Sequence, residues 1–458
     1  MSTPSTHVMI IGAGLAGSLM GCYLARAGYR VSIYERRPDP RAKGYLGGRS
    51  INLALSNRGL SGLAGAGLAE MVMNTEAIPM RGRMIHPAAS AAGAGPIFQP
   101  YSHDPGDAIN SVSRGGLNLA LIHAAAAYEN VQIFFDSPCL DVDLDGPAAI
   151  FESPRGPRRV GADLILGADG AFSPVRARLQ KTDRFEYSQS YLEHGYKELQ
   201  IPVAGGGFAL DPNALHIWPR GSSMMIALPN RDQSFTCTLF WPFAGEHGFE
   251  SLRTEEEVRA FFGKHYPDAL PLMPTLAEDY FQNPTGSLVT VRCSPWHWQD
   301  KVCLFGDAAH AIVPFYGQGM NAAFEDCLAL SECLANHPAN RGAALAEFQA
   351  RRKPNADAIA DMALANFVEM RDKVGNAEFL YRKKVEQTVH QAFPDRVTPQ
   401  YNLVSFSTVP YVDALRRGCE LDAVLDRVIS EIPAANLTQL GEDAWKAAVR
   451  HCAGRVLD

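Results

Sequence analysis

HVMIIGAGLAGSLMGCYLARAGYRVSIYERR, running from His7 to Arg37, decides the architecture of this 458-residue chain. A β-branched run, Val8 to Ile11, meets Gly12, and a helical pattern then continues through Ala27 to a stop at Gly28. A second strand is predicted from Val31 to Tyr34, completing a βαβ unit. The turn G-A-G-L-A-G follows a strand and opens a helix, the context a dinucleotide fingerprint demands and a merely structural βαβ does not. Gly12 allows the tight turn, Gly14 lets the backbone approach a pyrophosphate, and Gly17 lets the helix pack closely. Glu35 stands 23 residues after Gly12, where an acidic side chain can accept from a ribose hydroxyl.

Outward from this unit, two further stretches read as parts of one site. In DLILGADGAFSPVRARL, Asp163 to Leu179, an apolar strand ends at Gly167-Ala168-Asp169-Gly170. A carboxylate beside glycine can reach a sugar-like hydroxyl without steric conflict, although the pattern alone also fits a plain strand-to-helix turn. In FGDAAHAIVPFYGQGMNAAFEDC, Phe305 to Cys327, Gly317, Gln318 and Gly319 precede a helical run. A glycine-rich turn at a helix N-terminus aims unpaired N–H groups and the positive end of the dipole at something anionic or polarisable. By contrast Gly65 to Glu70, G-A-G-L-A-E, lacks the third glycine and a preceding strand, so it reads as helix packing or a helix end. No second fingerprint for a separate nicotinamide domain remains.

Charged residues make up 20% and hydrophobic ones 47%, globular values in a chain long enough for two or three domains or interleaved ones. The net charge of −7 offers no basic patch to track a phosphate backbone, which argues against nucleic acid. Nine cysteines are scattered without a C-x-x-C pair, the usage of a reduced, cytoplasmic, soluble protein. No signal peptide and no run of eighteen apolar residues is evident, so no membrane anchor is expected. Ala214 to Phe243 alternates β-rich runs with turn clusters and predicts antiparallel strands. A helix is predicted after the cap-like Thr254 to Glu257, strands at Gly286 to Arg292 and Val302 to Phe305, and helix from Gly342 to Val374 with Pro354 as a kink or joint. AASAAGAGP, around residues 88 to 96, reads as a mobile loop.

Taken together, GAGLAG with Glu35, GADGxxSxVR, and Gly306-Asp307-Ala308-Ala309-His310 resemble the class A FAD-dependent aromatic hydroxylases. The resemblance implies an α/β fold with a discontinuous Rossmann-like FAD-binding domain over residues 1–75, 101–180 and 285–340. An interleaved antiparallel-sheet substrate domain would take 76–100 and 181–284, and a C-terminal helical region, 341–458, would close the active site. The implied cofactor set is Gly12, Gly14, Leu15, Ala16, Gly17, Glu35 and Arg36 for the ADP half, with Arg114 touching the cofactor and Asp169 and Gly170 as an accessory fingerprint. Asp307 would meet the ribityl or ribose hydroxyls. Pro314, Gly317, Gln318, Gly319, Met320 and Asn321 would stand near the flavin ring, whose reduced form carries negative charge.

The likeness narrows in GRSINLALSNRG (48–59), MRGRMIH (80–86), QPY (99–101), HGYKELQIP (194–202), NALHIWPRG (213–221), IALPN (226–230), NFVEM (366–370) and YNLVSFS (401–407). These resemble the kynurenine 3-monooxygenase family. That resemblance implies hydroxylation of L-kynurenine to 3-hydroxy-L-kynurenine through a flavin hydroperoxide, with NADPH and O₂ as co-substrates, in tryptophan degradation.

Such a substrate carries an α-carboxylate, for which a cationic fork is the natural partner. By the resemblance Arg83 is that arginine, Tyr101 and Tyr401 are phenol donors to the same carboxylate, and Asn366 is a polar contact at the amino-acid end. Arg81 would share the face of Arg83 on a strand, and Met370 that of Asn366 on a helix. Phe315 and Tyr316, with Pro314, form the wall the ring meets, and Phe240 and Leu215 complete the substrate set. Without these surroundings an R-G-R arginine is usually a surface group and a lone tyrosine is packing. His310 invites a metal or base role, but a lone histidine near a helix start is more often structural. No metal site and no catalytic side chain is assigned, since the flavin carries the chemistry. Tyr316 stands where the family commonly has His or Phe, which bears on tolerance of ring substituents. Competing readings are a class A hydroxylase for a related anthranilate-like or modified kynurenine ring, and a flavin-binding protein without turnover. Flavin-dependent halogenation would use a W-x-W motif such as Trp296 to Trp298, but Gln299-Asp300 follows in place of I-P.

Overall fold

His7–Ile11 is buried at every position because it runs between two parallel neighbours, Arg30–Tyr34 and Leu164–Gly167. A parallel strand covered on both faces reads as a near-continuous apolar run, as Val8 to Ile11 do, while His7 at its start bonds the Ser32 hydroxyl at 2.9 Å. The structure is a computed structural model that describes residues 6–43, 52–88, 95–102, 104, 106–372 and 377–458. Residues 48–51 of the GRSINLALSNRG stretch, 89–94 of the loop expected to be mobile, and the side chain of Met370 lie outside the described residues. The parallel sheet has six strands in the order His297–Trp298, Val302–Leu304, Leu164–Gly167, His7–Ile11, Arg30–Tyr34, Val131–Phe134, with only the first edge pair antiparallel. Helix Leu15–Arg26 packs on it and ends before Gly28, whose φ of +84° is the left-handed conformation a side chain resists.

A second sheet of seven strands runs Gly286–Ser294, Glu186–Ile201, Phe235–Pro242, Ser223–Pro229, Ala214–Arg220, Gly82–Ile85, Ile97–Pro100. All neighbours are antiparallel except Ala214–Arg220 with Gly82–Ile85. Alternation along its strands separates two cores. Trp218, Met225, Leu239 and Trp241 face helices Glu255–His265 and Leu276–Gln282, meeting Val258, Phe262 and Leu276. Their neighbours Ile217, Met224 and Phe240 face the other way, onto Phe315, Ala363 and Phe367. The Glu255–His265 helix starts at a full capping box: the Thr254 hydroxyl accepts from the Glu257 amide at 3.3 Å, and the Glu257 carboxylate accepts from the Thr254 amide at 3.0 Å. Asn52–Leu55, Ile109–Ser113 and Ala77–Met80 form a small antiparallel sheet whose strands are interleaved in sequence with those of the large ones.

The rest of the chain is helical, with Arg341–Asp372, Ala377–Ala392, Gln400–Ser405, Tyr411–Glu431 and Glu442–Leu457 as its main elements. Pro354 does not break the first of these into two. Side-chain anchors on either side of the proline hold the helix to the body: Arg352 bonds Asp326 at 2.7 Å, and Asp357 lies 3.8 Å from Arg292. The G-A-G-L-A-E segment runs from the last residue of helix Asn57–Gly65 into the start of helix Ala69–Thr75. A Cβ on Gly65 would fall 2.2 Å from the Tyr23 hydroxyl oxygen, so the glycine serves close packing.

Candidate active site

The G-A-G-L-A-G turn has the shape its glycines require. Gly12 has φ +103°, and a Cβ on it would lie 2.5 Å from the Ala168 carbonyl oxygen. A Cβ on Gly17 would come within 1.9 Å of the Gly12 carbonyl oxygen. At Gly14, which is exposed, added atoms would meet nothing within 4 Å. The turn is therefore closed behind and open in front, and the helix after Gly14 begins without a side-chain cap, leaving its first N–H groups for an anion. Leu15 and Ala16 make the first turn of that helix. Glu35 sits at the end of the neighbouring strand and accepts from the Ala13 amide at 2.9 Å and the Arg37 amide at 3.0 Å, with Arg36 exposed beside it.

Asp169 packs directly against Gly12. One carboxylate oxygen accepts from the Val175 amide at 3.1 Å; the other is buried with no hydrogen-bond partner among the described residues. Burial pushes this carboxyl up to about 6, against the opposing hydrogen bonds from Ser173 and Val175. Gly170 takes φ +84° in the same turn. Arg114 is exposed at the start of helix Arg114–Ala126, whose cap is the Ser113 hydroxyl.

The Gly306 to His310 turn is clamped from beneath. Asp326 accepts from the Gly306 amide at 2.9 Å, bonds His310 at 2.5 Å and Arg352 at 2.7 Å, and is wholly buried. Burial would raise its carboxyl, but His310 and Arg352 hold it down at about 2. His310 is thus committed to the scaffold and stacks on buried Trp296, while Asp307, the next residue after Gly306, is exposed. A Cβ on Gly306 would meet Ala16 at 3.4 Å, so this turn and the first turn adjoin.

Pro314–Tyr316 forms a single 3₁₀ turn ending at Gly317, with φ +65°, and Gly319 starts helix Gly319–Asn336. The Gln318 and Asn321 side chains are turned into the scaffold, while the sequence expectation for this turn concerned its backbone N–H groups. Gln318 is 2% exposed and accepts from the Tyr411 hydroxyl at 2.9 Å. Asn321 is 0% exposed, accepts from the Ser56 amide at 3.0 Å and donates to the Ala54 and Gly317 carbonyls at 2.8 Å each. A side chain at a helix start with buried polar groups around it satisfies those first; only the backbone of these residues and of Met320 is left to face a ligand.

The residues expected to bind substrate converge from five elements. Arg83 and Leu215 are register partners on adjacent strands of the seven-stranded sheet. Tyr101 follows the next strand, Tyr401 comes from helix Gln400–Ser405, and Tyr316 and Phe315 from the 3₁₀ turn. The Arg83 guanidinium carbon lies 4.6 Å from the Tyr401 ring centre and 5.6 Å from that of Tyr101. The two tyrosine rings stack at 5.8 Å, and Tyr316 stacks on the far side of Tyr401 at 5.8 Å. Arg83 Nε and the Tyr101 hydroxyl are buried and have no hydrogen-bond partner among the described residues. Burial also pushes the Tyr101 phenol well above its ordinary range, keeping it a donor. Phe240, Phe315 and Phe367 close an apolar wall, with ring centres 5.1 Å and 4.5 Å apart, and Met224 and His194 line the recess behind it.

Arg81 is exposed and does not share this pocket. Asn366 lies beside the aromatic turn: its amide donates to the Phe315 carbonyl at 2.6 Å, bracing that turn against the long helix. Phe367, Asp326 and Arg352 were not singled out in the sequence. Phe367 could have been found as the neighbour of Asn366; the other two carry no local signal, because their partners are distant in the chain.

The chain matches the FAD binding domain family over residues 5–363. The kynurenine 3-monooxygenase of Myxococcus xanthus is 48% identical over 431 residues, covering 93% of this chain and 92% of the relative. That of Dictyostelium discoideum is 47% identical over 435 residues, covering 92% and 93%. Among solved structures, tetrameric 2-methyl-3-hydroxypyridine-5-carboxylic acid oxygenase matches with TM-score 0.65 at 21% identity, over 81% of this chain and 94% of that one. P. aeruginosa PqsL in complex with 2-aminobenzoylacetate matches with TM-score 0.63 at 21% identity, over 81% and 97%. At such identities the structural likeness speaks for the fold.

Proposed function

Because the chain belongs to the kynurenine 3-monooxygenase family of FAD-dependent aromatic hydroxylases, we propose that Arg83, Tyr101 and Tyr401 hold the α-carboxylate of its substrate. The enzyme hydroxylates L-kynurenine to 3-hydroxy-L-kynurenine, with FAD as cofactor and NADPH and O₂ consumed. The observation that carries the clamp is a buried cationic Nε and a buried phenol, both without partners and both beside the Tyr401 ring. A carboxylate accepts from both and meets a planar fork in its preferred geometry.

The residues present fit FAD. The open front of Gly14, the first amides of the following helix and Glu35 would hold the ADP half, while the unpartnered carboxylate oxygen of Asp169 and exposed Asp307 are suited to the hydroxyls between. The Gly317–Gly319 backbone would lie against the flavin ring, its amides and helix dipole favouring negative charge there. Bound FAD, once reduced by NADPH, supplies the activation of O₂ that lets one oxygen atom pass to an aromatic ring. The protein's own share is positional. The carboxylate clamp fixes one end of kynurenine, and Phe240, Phe315, Tyr316 and Leu215 orient the ring and exclude water. Asn366 contributes by fixing the Phe315 carbonyl. The discontinuous segments 1–75, 101–180 and 285–340 form the cofactor domain in this reading, 76–100 and 181–284 the substrate domain, and 341–458 the region that closes over the site.

No helix among the described residues is long and apolar enough to cross a membrane. Nine unpaired thiols, eight of them at least partly buried, support a reducing, cytoplasmic setting. Incubation with kynurenine, NADPH and O₂ tests the whole reading: the expected product is heavier by one oxygen atom, and NADPH loss accelerates with kynurenine. Unchanged kynurenine mass under these conditions overturns it.

A further inference from the structure

One buried arginine joins the segment that carries Tyr401 to the turn beside the flavin site. Arg58, on helix Asn57–Gly65, is 0% exposed. Its Nε donates to the Val404 carbonyl at 2.8 Å, and its Nη2 to the Leu403 carbonyl at 3.0 Å and the Val409 carbonyl. Leu403 and Val404 lie in the last turn of helix Gln400–Ser405, where carbonyls lack intrahelical partners and a cation meets the negative end of the dipole. Arg58 therefore caps the short helix whose first turn bears Tyr401. Its Nη1 also pairs with Glu325 of helix Gly319–Asn336 at 3.1 Å, and the guanidinium lies over the Tyr411 ring at 4.0 Å.

Tyr411 continues the connection. Its hydroxyl donates to the Gln318 side-chain oxygen at 2.9 Å; the Ser56 hydroxyl, at 3.5 Å, is that oxygen's other neighbour. Gln318 stands between Gly317 and Gly319, and glycines leave a turn pliable unless something outside it sets the peptide planes. Without the Tyr411 hydroxyl a buried amide oxygen would lose its good donor, and Gln318 would re-aim to find another.

We propose that Arg58 and Tyr411 are positioning residues for the hydroxylation: they hold the Gly317–Gly319 turn in a fixed relation to Tyr401, so that seating a substrate carboxylate is registered beside the flavin ring. The inference rests on the reading of Tyr401 as a carboxylate ligand. Coupling of this kind needs a contiguous set of contacts between two groups that each sense a ligand, and the Tyr401 helix, Arg58, Tyr411 and Gln318 supply one.

Tyr411→Phe keeps the ring under Arg58 and removes one hydroxyl; Arg58→Lys keeps the charge but not the fork that spans three carbonyls. In the holoenzymes the readouts are the change in flavin visible absorbance at saturating kynurenine and the ratio of hydroxylated product to NADPH consumed. Tyr411→Phe is expected to retain FAD and bind kynurenine while both readouts fall by about two- to tenfold. The missing product reappears as peroxide, NADPH, O₂ and a proton giving NADP⁺ and H₂O₂. Arg58→Lys should show the same loss; if it fails to retain FAD, Tyr411→Phe decides. Wild-type absorbance change and coupling in Tyr411→Phe overturn the proposal, as does a drop in thermal stability alone. An Arg83→Ala enzyme assayed alongside separates the two readings: undiminished kynurenine affinity there defeats the clamp, whereas weakened affinity with a wild-type-like Tyr411→Phe defeats only this inference.

Discussion

Replacing Arg83 by alanine tests the carboxylate clamp most directly. The guanidinium is held over two tyrosine rings with its Nε buried and unpartnered, so its desolvation is already incurred in the free protein and little reorganisation remains on binding. A charge-assisted hydrogen bond to a carboxylate is then worth about 1.5–3 kcal/mol, and Arg83→Ala should weaken kynurenine binding by about 10- to 150-fold. Binding is read by titrating the flavin absorbance of the holoenzyme with kynurenine. The control is the decarboxylated analogue, which keeps the ring, ketone and amine. It should bind the wild type weakly and the variant about equally, because the interaction removed is with the carboxylate. FAD content should not change, since Arg83 belongs to the seven-stranded sheet and the glycine turn to the six-stranded one. Equal losses for both ligands would mean that the variant has lost packing rather than a clamp, and no loss for kynurenine would refute the reasoning outright.

Tyr101→Phe should act in opposite directions on two measurements. Kynurenine affinity falls by about tenfold or more as a donor to the carboxylate is lost, whereas the thermal midpoint without substrate holds or rises, because a buried hydroxyl lacking a partner disappears; a lower midpoint with unchanged affinity would contradict both parts. Asp169 makes a pH prediction. Its folded-state carboxyl is raised to about 6 from an ordinary 3.8, so the FAD-free fold prefers it protonated. That contribution is present in full below about pH 4 and is lost as pH rises through about 6. Thermal melts of FAD-free protein across this window should decline more in the wild type than in Asp169→Asn, and parallel profiles would rule the effect out.

Much of the cofactor half could be read from the sequence because its determinants are local. Gly12, Gly17 and Gly28 each answer to a conformation or a contact within the βαβ unit, and Thr254 with Glu257 forms its capping box three residues apart. The helix through Pro354 was harder: a proline signals interruption, but tertiary anchors at Arg352 and Asp357 override it. The side-chain partners of Gln318 and Asn321 were out of reach of the sequence for a related reason. Their place beside two glycines suggested a ligand, while the groups that claim their side chains, Tyr411, Ser56 and Ala54, come from elsewhere in the chain. Asn366 has a distant partner of the same kind in the Phe315 carbonyl, 51 residues away in the chain. Buried polar groups choose partners by proximity in space, and a single sequence does not carry that proximity.

The parallel pairing of Gly82–Ile85 with Ala214–Arg220 has a bearing on biosynthesis. Ribosomes extend a chain at about 5–20 residues per second, and N-terminal units commonly fold first. Here the strand bearing Arg83 leaves the ribosome well before the strand it must lie against, and Tyr401 follows later still. The nucleotide-binding βαβ unit can form before these, but the proposed carboxylate clamp is not assembled until the helix bearing Tyr401 has emerged. A nascent chain halted before Tyr401 would thus have the glycine turn without the proposed clamp, so selectivity for the substrate would wait on a segment far downstream of the fingerprint.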